Sequence, residues 1–195
     1  SGAPANIYIS ASEAWIQELD KNNLLSKDHI KPIFKNRLVL VSPKNSEIKN
    51  LKNINKDNLS NLFKKYLKNS RVSIADPNHV PAGIYTKEAL AKLNIWSMLN
   101  SKNMAWGGDV RRTLKFVSLG NCPLGIVYYT DAIVDPNIKI IGFFDEKLHS
   151  PINYWAAIVN KNKNNSTIKL YNYLFSNLAT NIYSSYGFEA FEREE

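Results

Sequence analysis

Short runs of apolar residues alternate along the chain with segments whose apolar positions recur every three or four residues. These are the signatures of buried strands and one-sided helices. The first run, Asn6 to Ser10, predicts a short buried strand entered through a Gly2-Ala3-Pro4 turn. Ser12 then stands as an N-cap, and Glu13 to Leu19 follows at helical spacing with Trp15, Ile16 and Leu19 on one face. Arg37 to Ser42 predicts a second strand, ended by Ser42-Pro43. Lys44 to Asn58 is rich in Lys and Asn and reads as a loop or solvated connection, and Leu59 to Tyr66 as a short amphipathic helix.

A denser section follows. Arg71 to Ala75 predicts a strand, with a turn at Asp76-Pro77-Asn78. Pro81 to Leu93 predicts a helix with Pro in its first turn, Ile84, Ala89, Leu90 and Leu93 inward, and Asn94 as its stop. Asp109 caps another, with Val110, Leu114 and Val117 inward and Gly120 closing it. Strands are expected at Pro123 to Tyr128, Lys139 to Phe144 and Asn153 to Val159, with a short helical turn at Thr130-Asp131-Ala132. Ser166 to Phe175 predicts a helix capped by Ser166 or Thr167, and Leu178 to Tyr186 another, stopped by Gly187. The tail from Glu189 to Glu195 is acidic and reads as frayed. Such alternation argues for α/β architecture with mainly parallel sheets. The strands Leu38–Val41 and Tyr154–Val159 bracket a self-contained section, the mark of a discontinuous two-lobe chain.

Composition narrows this. A length of 195 residues suits one ordinary domain or two small ones. The longest apolar runs, such as Leu38 to Val41 and Ile138 to Phe144, fall far short of the ~20 residues of a membrane-spanning helix. The sequence starts at Ser1 with no initiator Met, basic segment or apolar segment, so it holds no signal peptide. The net charge is +8, but 20 of the 25 basic residues are Lys, dispersed among 25 Asn. Readers of nucleic acid lean on Arg, so a solvated basic surface fits better than a nucleic-acid partner. Cys122 reads as a small buried hydrophobe. His29, His79 and His149 are scattered, without metal-ligand spacing or a nucleophile–base pair.

Three places carry candidate chemistry. At Pro81-Ala82-Gly83, a helix start is expected to present the free N–H groups of Ala82 and Gly83 at the positive end of the helix dipole. At Gly107-Gly108-Asp109-Val110, two glycines allow close backbone approach and the Val110 N–H points out of a helix N-terminus. At Gly125 to Tyr128, a strand ends in a phenol at the edge where ligands bind in α/β sheets. A plain helix start, a capped loop and a core tyrosine are the alternative readings. The nucleotide, serine-hydrolase and zinc-protease motifs are all missing, which favours a binding protein over an enzyme. An enzyme on the same scaffold would need Asp109 or His79 facing its ligand.

Residues Asp76 to Leu90 resemble the D-P-x-x-V-P-A-G-x-Y-x-K-E-A-L signature of the periplasmic molybdate-binding proteins of ABC transporters, the ModA family. Asp109-Val110-Arg111, the Pro123 to Tyr128 strand with Thr130-Asp131-Ala132 after it, the opening Gly2 to Ser12 block and Tyr186-Gly187-Phe188 resemble that family too, so the likeness runs from Ser1 to about Phe188. The resemblance implies a two-lobe type II periplasmic-binding-protein fold, with lobe one at residues 1–41 and 155–195 and lobe two at 42–154. It implies a molybdate or tungstate oxyanion held in the inter-lobe cleft without Arg or Lys. The donors would be the N–H groups of Ala82 and Val110 and the phenol of Tyr128, with sulfate rejected by cavity size. It also implies no cofactor or metal cation, a permease partner and a periplasmic location.

One departure accompanies the likeness. In the family a strand–helix–strand with two serine donors precedes the block that opens this chain. Ser10 and Ser12 do not match those serines, so lobe one is expected to be incomplete and binding by these residues alone to be weak. Absent strands would expose apolar faces and open edges. The alternative expectation is therefore a non-binding chain that self-associates, for instance as a homodimer through lobe one.

Overall fold

A computed structural model describes residues 5–191. In chain order the strands are β1 (Ile7–Ser10), β2 (Leu25–Lys35), β3 (Leu38–Pro43), β4 (Val72–Ala75), β5 (Met104–Gly107), β6 (Leu124–Tyr128), β7 (Ile138–Phe143), β8 (Asn153–Val159) and β9 (Glu189–Ala190). The helices are α1 (Glu13–Lys21), α2 (Lys56–Tyr66), α3 (Pro81–Lys92), α4 (Val110–Ser118), α5 (Tyr129–Ala132), α6 (Asn165–Leu174) and α7 (Asn177–Ser185). The described residues form two compact units, one running to Asn36 and resuming at Ile152, the other Arg37–Pro151. The divisions fall after Asn36 and Pro151, where 41 and 154 were expected, because β3 is hydrogen-bonded between β6 and β7 and joins their unit whole. The expected Gly2-Ala3-Pro4 turn and the tail beyond Phe191 lie outside the described residues.

The discontinuous unit holds a sheet of order β1-β8-β2-β9, antiparallel throughout. Strand β2 has no counterpart in the sequence reading. Lys27, Asp28, Lys31 and Pro32 hide its alternation, and its pairing with β8 shifts register between Leu25 and Ile30 and again between Pro32 and Phe34. A bulge is where a strand can hold a residue without an N–H. Phe34 gathers Tyr154, Tyr183 and Phe188 at ring distances of 4.8, 4.8 and 4.2 Å. That cluster, with the turn at Gly187 (φ +84°), lays Glu189–Ala190 against β2, so this start of the tail is paired and not frayed. Two apolar expectations fail here. Trp15 is 61% exposed while its neighbour Ile16 is buried, and Ile9 of β1 faces outward. Helix α6 is capped by Asn164, which accepts from the Thr167 N–H at 2.9 Å, and not by Ser166 or Thr167.

The continuous unit holds a sheet of order β5-β4-β6-β3-β7. Only the pairs β4–β5 and β4–β6 are parallel, so the sheets are not mainly parallel as expected; β3 runs antiparallel to both its neighbours. Parallel neighbours need crossover connections, and here α3 and α4 supply them. Helix α2 starts three residues before its apolar face because Asn55 and Asn58 form a reciprocal capping box. The connection before it is anchored by buried Ile48 and Ile54 and is not simply solvated. Edge strand β5 was also unforeseen. In α3 the inward stripe is Ala82, Gly83, Thr86, Ala89 and Leu90, whereas Ile84 is 41% exposed. Small residues face the sheet because the helix begins in direct contact with it. Cys122 is buried in the core formed by Val39, Val41, Val117 and Val127, as its context predicts, and burial pushes its thiol up.

Candidate functional site

Strands β4, β5 and β6 run parallel and in step: Val72 pairs with Met104 and Leu124, and Ile74 with Trp106 and Ile126. Their carboxyl ends therefore lie together, and each is followed by a helix. The start of α3, the start of α4 and Tyr128 are brought to one edge of this sheet. All three candidate positions sit within the Arg37–Pro151 unit.

The α3 start is built by the backbone. Asp76 takes the His79 and Val80 N–H groups on its carbonyl, at 3.3 and 2.8 Å, and its side chain accepts from the Asn78 N–H at 2.9 Å. Val80 is an extended N-cap and Pro81 the first helical residue. The Ala82 N–H, in the first turn, has no acceptor among the described residues, whereas the Gly83 N–H, also expected to be free, donates to the Val80 carbonyl at 2.9 Å because Val80 as N-cap turns its carbonyl into the helix. Gly83 lies so close to β4 that a Cβ on it would stand 2.2 Å from the Ala75 carbonyl oxygen. Only glycine fits there.

At α4, Asp109 is an extended N-cap whose carboxylate accepts from the Arg112 N–H at 2.6 Å. That carboxylate serves the helix, as expected, and His79 is exposed. The Val110 N–H has no acceptor among the described residues. Tyr128, 4% exposed, ends β6 opposite Leu38.

Sequence reasoning missed two neighbours of these positions. The Arg37 guanidinium stacks on Tyr129 at 4.8 Å and Phe143 at 4.4 Å, and its carbonyl accepts the Tyr129 N–H at 2.8 Å. It braces the strand end that follows Tyr128; an Arg leading directly into a buried strand was the available signal. Asp131 was read only as part of a turn. Burial pushes its carboxyl above the ordinary 3.8, the Arg111 guanidinium 3.9 Å away pulls it back, and the Asp109 carboxylate adds to the rise.

A stability prediction follows from Asp131. Its folded-state value is raised, so as pH climbs past the ordinary carboxylate range the unfolded chain releases this proton first. Stability then falls until the folded state has also ionised, and stays lower above that. Asp131→Asn is expected to raise the melting temperature at pH 7 more than at pH 3. Thermal melts at both pH values check it, and an equal change at both would contradict it.

Among the described residues no three or more His, Cys, Asp and Glu side chains group as a metal site. No helix among them is long and apolar enough to cross a membrane. Trp106 is exposed and meets the half-buried Trp96 at 6.3 Å.

Residues 1–189 match the family described as bacterial extracellular solute-binding protein. The molybdate-binding protein ModA of Haemophilus influenzae is 39% identical over 189 residues, covering 97% of this chain and 72% of that protein. ModA of Escherichia coli is 38% identical over 189 residues, covering 96% and 71%. A solved substrate-binding domain assigned to a molybdenum ABC transporter of Clostridium difficile superposes with a TM-score of 0.80 at 31% identity, over 98% of this chain and 79% of that one.

Proposed function

Because the chain belongs to the bacterial extracellular solute-binding proteins, we propose that it binds a tetrahedral oxyanion, molybdate or tungstate, as the solute-binding component of an ABC importer. The donors are the N–H groups of Ala82 and Val110 and the phenol of Tyr128. The observation that carries this reading is the meeting of two open helix-start N–H groups with a strand-end tyrosine at one sheet edge. The resemblance to molybdate-binding relatives names the ligand class.

The chemistry agrees. A fully deprotonated dianion offers acceptors only, so a shell of donors suits it, and a carboxylate facing it would repel it. Helix-start N–H groups supply positive potential without a desolvated cation. Asp109, the nearest carboxylate in sequence, is occupied with its own helix. This reading makes an importer's permease the partner and the periplasm the place of work.

Nuclear magnetic resonance on 15N-labelled protein titrated with molybdate tests it. The Ala82 and Val110 amides should shift together and saturate, tungstate should reproduce the shifts, and sulfate at equal concentration should not. Calorimetry should return the same midpoint. Molybdate leaving both amides unmoved would overturn the assignment.

A further inference from the structure

The donor assignment leaves one buried network without a role. Thr113 is 0% exposed, and its hydroxyl and its own N–H both donate to the Asp109 carbonyl, at 2.8 and 3.1 Å. That carbonyl and the Val110 N–H are the two ends of a single peptide group. Hydrogen bonds received at the carbonyl end draw electron density toward oxygen and leave the N–H a stronger donor. They also fix the plane of the peptide, and with it the direction of the N–H.

Thr113 is in turn held on both sides. The Ser73 hydroxyl of β4 donates to the Thr113 carbonyl at 2.9 Å, tying α4 to the sheet. Gly107 leaves the space its hydroxyl occupies, since a Cβ there would stand 2.2 Å from Thr113 Oγ1 and 2.8 Å from its nitrogen.

Helix α3 provides the contrast. Thr86 is also 0% exposed, and its hydroxyl donates to the Ala82 carbonyl at 2.7 Å. The N–H of that peptide belongs to Gly83 and is already given to the Val80 carbonyl at 2.9 Å. The same side-chain device therefore acts on a spent N–H in α3 and on an open one in α4.

We propose that Thr113 is a positioning residue for oxyanion binding, which polarises and aims the Val110 N–H, and that Gly107 provides the room it needs. The proposal rests on the Val110 donor reading above.

The test compares Thr113→Val, Thr113→Ser and Thr86→Val by molybdate calorimetry and by the Val110 amide proton shift in the ligand-free protein. Thr113→Val removes the hydroxyl at nearly constant volume. It should weaken binding about five- to tenfold and move the free Val110 amide proton upfield. Thr113→Ser keeps the hydroxyl, and Thr86→Val loses an equivalent buried bond on the other helix. Both should stay within about twofold of the parent. Amide spectra of the remaining residues report whether each variant keeps its fold. An unchanged affinity and Val110 shift in Thr113→Val would overturn the proposal alone. So would an equal loss in Thr86→Val, which would point to packing. A parent protein that ignores molybdate would remove the donor reading and this proposal together.

Discussion

Gly83→Ala is expected to destabilise the Arg37–Pro151 unit by about 2–4 kcal/mol and to weaken oxyanion binding. Two effects oppose each other at this position. Alanine is the better helix former, by about 1 kcal/mol. Against that, the new Cβ would stand 2.2 Å from the Ala75 oxygen and 2.7 Å from the carbonyl carbons of Ala75 and Asp76. All three atoms are backbone at the end of β4, and no side chain can swing away to relieve the clash. The start of α3 must move off the strand, carrying the Ala82 N–H with it. Urea denaturation followed by tryptophan fluorescence measures the loss. A variant as stable as the parent would mean that α3 does not sit this close to β4.

Val110→Pro is expected to leave the fold nearly unchanged and to weaken molybdate binding about 10- to 100-fold, the worth of one hydrogen bond to a charged group. Proline usually breaks a helix, but Val110 is the first helical residue, where the ring's fixed φ is already right. Asp109 before it is extended, with φ −156° and ψ 172°, the conformation a following proline requires. The nitrogen has no acceptor to lose among the described residues, so the substitution deletes the proposed donor without breaking a hydrogen bond of the fold. Some packing of the Val110 side chain against the Val117 and Val127 core is lost too, about 1 kcal/mol. Calorimetry and thermal melts together decide the matter. Unchanged affinity in a folded variant would strike Val110 from the donor set.

The elements nearest the site were the most legible in the sequence. Pro81 and Asp109 mark helix starts by rules that operate within one turn, and Asn94 (φ +55°) and Gly120 (φ +74°) mark the stops. The Ala82 and Val110 N–H groups follow from those starts, at the first turn where helical acceptors run out, while that of Gly83 is taken by the Val80 carbonyl. What stayed hidden was whatever depends on a distant partner. Strand β2 lacks alternation and exists because β8 and β9 flank it. Edge strand β5 is four residues long and is recognised only by its pairing with β4. The spacing from Asp109 to Thr113 was visible as an ordinary helical interval. Its weight was not, since that needs Gly107 and Ser73 to hold the hydroxyl in place.

By itself, then, the sequence determined where α3 and α4 begin, and that the chain is α/β with a family resemblance in its motifs; of the N–H groups it read as open at those starts, Ala82 and Val110 are open and Gly83 is not. These depend on interactions spanning about four residues, which are written contiguously. The tertiary structure decided that the two helix starts and Tyr128 share one sheet edge, that Ile84 and Trp15 face outward, and that β3 belongs with β6 and β7. Those outcomes follow from strand register and close packing between residues tens of positions apart, where a neighbour's backbone, and not the local pattern, settles what fits.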